Sequence, residues 1–228
     1  MAELSCGKKT VRALIFDMDG VLIDSEPGYN RAERKLFEKL GLTYDSDAIA
    51  AVTGANNFVV ADIIAERYPE FAPRRSEVAG MYEDSLYGAL IEDVDGLIPG
   101  VEDWMLRARA AGLKIAIGSS SSDRMVFHVI ESFGLAKLLD AVVTGDMTPR
   151  GKPHPDIFLS ACARLNLPPR SCMIIEDSVN GLAAGRAAGT VCAAYTGTNR
   201  HGLDLSGCDI SFAEFTPNTW NTCVAPFL

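Results

Sequence analysis

The run Ala13-Leu14-Ile15-Phe16 is four apolar residues that stop abruptly at Asp17-Met18-Asp19-Gly20. So short a run, ending in acids and glycine, reads as a buried strand that meets a loop. Similar runs recur at Ile115-Ala116-Ile117, Ala141-Val142-Val143, Met173-Ile174-Ile175 and Val191-Cys192-Ala193-Ala194. Between them lie helical periodicities, with Val126, Val129, Ile130 and Phe133 on one face and Ile157, Phe158, Ala161 and Leu165 on another. Strand and helix alternating at this spacing imply right-handed crossovers, and so an α/β fold with a mainly parallel sheet.

From about Pro27 to Ile91 the strand runs vanish and only helical periodicity remains. Ala32, Leu36, Phe37 and Leu40 form one stripe, closed by Gly41; Val60, Ile63, Ile64 and Arg67 form a second; Val78, Met81, Tyr82, Ser85, Leu86 and Ala89 form a third. A short helix is also expected from Asp47 to Val52. The block reads as a helical module inserted after the first strand. The expected division is a core of residues 1–26 and 96–228 with an inserted domain of residues 27–95. Glycines and prolines at the two joins would serve as hinges.

Lys and Arg number 21 against 30 Asp and Glu, a net charge of −9, which repels nucleic acid and anionic membrane surfaces. No apolar stretch approaches the ~20 residues of a membrane span. The six cysteines contain no Cys-x-x-Cys pair, and Met1 to Thr10 has no apolar core of a signal peptide. A cytoplasmic protein with reduced thiols is expected, with Cys172 and Cys192 as core residues. An anionic small-molecule substrate would need local positive charge.

Asp17 and Asp19 are two residues apart in an extended segment, so their side chains face one spot about 6.5 Å apart. Glu176-Asp177 follows another buried run in the same strand-then-acid arrangement. If both strands are central and parallel, four acids converge where ligands bind in open α/β sheets. Like charges 4 Å apart repel by roughly 4 kcal/mol at an effective dielectric of 20, so a cation or a proton must relieve them. An all-oxygen donor set suits Mg²⁺ shared with a substrate phosphate. Lys152, between Gly151 and Pro153, could neutralise phosphate and acids together. Ser119, ending another strand, could give its hydroxyl and backbone N–H to a phosphoryl oxygen, with Ser122 the cap of the following helix.

In chain order, Asp17-Met18-Asp19-Gly20, Ser119, Lys152 and Glu176-Asp177 resemble the four-motif signature of the haloacid dehalogenase superfamily. The resemblance extends through Gly151-Lys152-Pro153-His154-Pro155-Asp156 and Ser178-Val179-Asn180-Gly181, and covers essentially the whole chain. It implies a Rossmann-like three-layer core with a helical cap inserted between the first two motifs. It also implies roles. Asp17 would attack phosphorus to form an aspartyl-phosphate, and Asp19 would protonate the leaving oxygen and then activate water. Asp17, Asp177 and the backbone carbonyl of Asp19 would hold Mg²⁺, with Glu176 in or next to that shell. Ser119 and Lys152 would bind the transferring phosphoryl group.

Asp19 speaks against the dehalogenases and phosphonatases of the superfamily, which lack an acid there. Among look-alikes, the β-phosphoglucomutases carry a His shortly after the first motif and an Arg in the cap. Tyr29 stands at that His position, and Thr53-Gly54-Ala55-Asn56-Asn57 has no Arg. Both differences favour a phosphatase acting on a small phosphorylated metabolite, such as a sugar phosphate, over a sugar phosphomutase, the alternative; Arg67, Arg74 or Arg75 could still anchor a second phosphate. Asn56 and Asn57, read as a loop after a helix, could hydrogen-bond sugar hydroxyls, with Glu26 and Asn180 as weaker candidates. The chain is expected to act as a monomer or weak dimer.

Overall fold

The computed structural model describes residues 10–45, 48, 52, 57–199 and 202–228. Six strands form one parallel sheet: β1 (Ala13–Phe16), β2 (Lys114–Gly118), β3 (Ala141–Val143), β4 (Cys172–Glu176), β5 (Val191–Tyr195) and β6 (Ile210–Phe212), in the order β3-β2-β1-β4-β5-β6. The order reverses at β1, so its carboxyl end opens a crevice between the ends of β2 and β4. The five runs read from sequence are all strands. β6 adds a sixth at the edge; its Ile210-Ser211-Phe212 is interrupted by a serine, whereas the equally short β3 is an unbroken apolar run.

Alternation along the strands builds two apolar layers. Leu14, Phe16, Met173 and Ile175 point to one face, packed against α4 (Val101–Ala110) and α5 (Asp123–Ser132). Ala13, Ile15, Cys172 and Ile174 point to the other, packed against α6 (Asp156–Arg164) and α7 (Val179–Ala188). Every β1, β4 and β5 residue is buried, as a central parallel sheet requires. Gly185 meets Ile174 and Cys192 where a side chain would stand, so close helix–sheet packing explains that small residue. Trp104 is fully buried among Phe212, Phe215 and Trp220 and donates its indole N–H to the Thr216 carbonyl at 3.0 Å, while α8 (Pro217–Cys223) closes that layer.

The helical cap inserted after β1 comprises α1 (Glu26–Leu40), α2 (Asn57–Arg67) and α3 (Arg75–Asp93). It has its own apolar cluster, with Leu36, Phe37, Val60, Ile64, Val78 and Tyr82 at the centre. Gly41, at φ 72°, ends α1 with its N–H turned back to Phe37 and Glu38 carbonyls. Of the helix expected over 47–52, Ala48 and Val52 are described; both are helical and buried, and the rest lies outside the described residues. Among the described residues no helix is long and apolar enough to cross a membrane. Cys172 and Cys192 are wholly buried core residues; Cys162 and Cys223 are buried too.

Candidate active site

The carboxyl ends of β1, β2 and β4 converge below the cap on a cavity of about 480 Å³. Asp17, Asp19, Ser119, Lys152, Asp177 and Asn57 all line it. Three of the four acids read from sequence meet. One carboxylate oxygen each from Asp17, Glu176 and Asp177 lies within 4.8 Å of the others.

Lys152 sits among these acids with its side chain 4% exposed, its Nζ 2.8 Å from Asp17 Oδ1 and 2.6 Å from Glu176 Oε1. Burial alone would strip the ammonium of its proton, but the two carboxylates outweigh it and hold the lysine firmly charged. Burial pushes up the Glu176 carboxyl as well, yet Lys152 and the Ser178 donors bring it below its usual range. Its other oxygen, Oε2, accepts from the Ser178 N–H and hydroxyl, each at 2.9 Å. Glu176 is therefore taken up on both oxygens, by the lysine and by the start of α7. Ser178 Oγ in turn accepts from the Gly181 N–H at 2.9 Å, capping that helix.

One lysine cannot balance three acids, two of them buried and the third, Asp177, half-buried. Burial drives Asp17 well above the ordinary carboxylate range, with Lys152 opposing and Glu176 and Asp177 adding to the rise. Asp177 is pushed up to about 8 by burial and by Glu176. The surplus of buried negative charge, made of oxygens alone, fits a divalent cation. Gly20 allows the approach: at φ 73°, a Cβ there would collide with the Asp177 carboxylate. Thr198 fixes the same corner, its hydroxyl 2.8 Å from the Gly20 carbonyl and 3.2 Å from Asp177 Oδ2.

Asp19 stands apart from that cluster. Ser25 donates to its Oδ1 at 2.7 Å and Ser121 to its Oδ2 at 2.5 Å. Neither serine was singled out by sequence, because each becomes a partner only through the turn after β1 and the loop after β2. Ser119 is 1% exposed, and its backbone N–H is committed to the Val143 carbonyl at 3.0 Å. That corrects the expectation that this N–H serves a phosphoryl oxygen. Its Oγ accepts from the Ser121 N–H at 3.0 Å and keeps its own proton to donate. The neighbouring Ser120 hydroxyl is buried on the same cavity and has no hydrogen-bond partner among the described residues. Ser122 occupies the position before α5 but makes no side-chain cap; Asp146 accepts from the Asp123 N–H instead, at 2.8 Å.

The cap contributes a polar roof. Glu26, Tyr29, Asn30 and Glu33 follow the spacing of one α1 face and line the cavity. They continue the i, i+3, i+4 series of Leu36, Phe37 and Leu40 toward the start of the helix; Glu26 and Tyr29 were named from sequence, Asn30 and Glu33 were not. Asn57 is the first residue of α2, not a loop residue, and its amide donates to Glu83 Oε2 at 3.1 Å. Asn56 lies outside the described residues. The arginines weighed as a second phosphate anchor are engaged on the cap surface, Arg67 with Asp45, Arg74 with Glu77 and Arg75 with Asp62. Glu26 and Asn180 border the cavity as expected.

Residues 11–189 match the family model described as a haloacid dehalogenase-like hydrolase. Hexitol phosphatase B of Escherichia coli (strain K12) is 34% identical over 181 residues, covering 79% of this chain and 81% of that protein. Fructose-1-phosphate phosphatase YqaB of the same organism is 32% identical over 179 residues, covering 77% of this chain and 92% of that protein. Among solved structures, a β-phosphoglucomutase from Clostridium difficile superposes with a TM-score of 0.82 over 96% of this chain and 97% of that one. Its sequence identity is 22%, so the likeness is one of fold.

Proposed function

This chain belongs to the haloacid dehalogenase-like hydrolases, and we propose that it is a Mg²⁺-dependent phosphatase of small sugar or polyol phosphates working through Asp17. The observation that carries this reading is the convergence of Asp17, Glu176 and Asp177 around Lys152 beneath the cap cavity. Relatives named as hexitol and fructose-1-phosphate phosphatases support the substrate class.

Asp17, Asp177 and the backbone carbonyl of Asp19 would hold Mg²⁺, with Glu176 occupied chiefly in fixing Lys152. A bound Mg²⁺ would offset negative charge on the phosphoryl oxygens and on the acids that face them. Lys152 and the Ser119 hydroxyl would hold the phosphoryl group, adding positive charge where the transition state spreads its negative charge. A carboxylate oxygen of Asp17 attacks phosphorus, and the bond to the substrate oxygen breaks as Asp19 delivers a proton to it. Asp19, now ionised, takes a proton from water; that water attacks phosphorus, the bond to Asp17 breaks, and inorganic phosphate leaves. Ser25 and Ser121 keep Asp19 aimed through both halves. The cap roof would exclude bulk water during transfer.

Transfer to a second sugar hydroxyl, the mutase alternative, is less well supported. Tyr29 stands on the cavity wall, and Arg67, Arg74 and Arg75 are paired with surface acids. The reading is tested by phosphate release from a panel of sugar, polyol and small-acid phosphates, with Mg²⁺ or with EDTA, using Asp17→Asn as control. Metal-dependent release lost in Asp17→Asn is the expected result. Silence on the panel, with a hexose 1-phosphate converted to its 6-phosphate once a bisphosphate primer is present, would replace it with the mutase.

A further inference from the structure

The cavity is chemically two-ended. Its lower end carries Lys152, the cation among its described lining residues, already shared by Asp17 and Glu176. Its cap side carries three carboxylates, Glu26 and Glu33 on α1 and Glu83 on α3, set among neutral side chains.

Glu33 is the most constrained of these. It is 6% exposed, and both its oxygens are engaged from the protein side. The Tyr44 hydroxyl donates to Oε2 at 2.5 Å and the Tyr82 hydroxyl to Oε1 at 2.6 Å. A carboxylate offers about four acceptor positions, so two tyrosines leave acceptor capacity on a side chain that borders the cavity. Glu83 is oriented in the same way by the Asn57 amide. Among the described residues no cap Lys or Arg lines the cavity: Arg31 pairs with Asp93 at 2.9 Å, Arg67 with Asp45 at 2.9 Å and Arg74 with Glu77 at 2.6 Å, and Arg34 lies over the Tyr44 ring at 5.3 Å.

Resting on the phosphatase reading above, we propose that Glu33 and Glu83 make the far end of the cavity an acceptor wall that selects phosphomonoesters with an uncharged, hydroxyl-bearing far end and rejects those ending in a second phosphate or a carboxylate. A substrate hydroxyl donates to a fixed carboxylate in a charge-assisted hydrogen bond, stronger than a neutral one. A distal anion brings no donor and meets like charge, so discrimination comes from repulsion as much as from attraction. Glu33 is thus a specificity residue on the cap side of the cavity.

The test uses fructose 1-phosphate and fructose 1,6-bisphosphate, which differ by phosphate on the far hydroxymethyl. A third compound, p-nitrophenyl phosphate, has no sugar end. The intact protein is assayed with Mg²⁺, and each sugar kcat/KM is divided by the same variant's value for p-nitrophenyl phosphate. The wild type is expected to favour the monophosphate by about tenfold or more, and Glu33→Gln to shrink that ratio by about tenfold, equivalent to about 1.4 kcal/mol. Glu83→Gln is expected to shift it in the same direction, which keeps the proposal testable if Glu33→Gln folds poorly. Hydrolysis of p-nitrophenyl phosphate with no wild-type preference, or with a preference unmoved by the glutamine variants, overturns the acceptor wall and leaves the phosphatase standing. No metal-dependent hydrolysis of any of the three overturns both.

Discussion

The Ser121 hydroxyl donates to Oδ2 of Asp19 at 2.5 Å, across 102 positions of sequence. Together with Ser25 on Oδ1, it fixes the one acid of the motif that stays out of the Asp17–Glu176–Asp177 cluster. The proton carrier proposed for Asp19 would need such fixing, because its oxygen must point at the leaving group and then at water.

Ser121→Ala should therefore lower kcat by about tenfold, the scale of one well-placed hydrogen bond to a charged group, with KM little changed. Steady-state kinetics at saturating Mg²⁺ measure this. An unchanged kcat with a lower melting temperature would assign Ser121 to folding alone.

Removing the lysine leaves three acids without their internal cation. Lys152→Met should destabilise the metal-free protein by about 3–5 kcal/mol, as when one partner of a buried ion pair is deleted. For a chain of this size that lowers the melting temperature by roughly 6–20 °C. Mg²⁺ should recover part of the loss while phosphatase activity stays absent. Thermal unfolding with and without Mg²⁺ reads both effects.

The raised acids give the metal-free protein an unusual pH dependence. Asp177 is pushed up to about 8 and Asp17 well above the carboxylate range, whereas both would ionise near pH 4 in the unfolded chain. Between about pH 4 and 8 the folded state thus holds more protons than the unfolded one, so stability falls as pH rises, by up to about 1.4 kcal/mol per pH unit for each group. Glu176, held low by Lys152, acts in the opposite direction but below that window. Urea midpoints in EDTA should be lower near pH 8 than near pH 5.5, and saturating Mg²⁺, which on the proposed reading would bind the ionised acids, should flatten or reverse the difference. A metal-free midpoint that rises over this range would contradict the charge surplus.

Gly20→Ala meets two obstacles, a left-handed φ of 73° and the Asp177 carboxylate where its Cβ would stand. Loss of about 1–3 kcal/mol of stability is expected from the backbone alone. Weakened Mg²⁺ binding, seen by isothermal calorimetry, should accompany it because Asp177 must move.

Much of the molecule was legible because its signals are local. Short apolar runs ending in acids mark β1 and β4, and the switch to helical periodicity after Pro27 marks the cap. Asp17, Asp177 and Lys152 could be placed together because strand ends of a parallel sheet converge. What escaped depends on folding geometry. Ser25 and Ser121 gain meaning only when two loops meet over Asp19. Glu33 carries no sequence signal beyond its register with Leu36 and Phe37; its role emerges only when Tyr44 and Tyr82 close on it. Asn57 reads as a loop residue because asparagine disfavours helix interiors, yet it opens α2. β6 escaped because Ser211 breaks its apolar run, where the equally short β3 is apolar throughout.

The most direct test of the central claim is to trap the intermediate. The protein is mixed with a ³²P-labelled sugar phosphate and Mg²⁺, quenched in acid within one turnover, digested, and the labelled peptide sequenced. Label on Asp17, absent from Asp17→Asn and persisting longer in Asp19→Asn, is the expected result. Turnover by the wild type with no protein-bound label, or with label on another residue, would contradict covalent catalysis by Asp17.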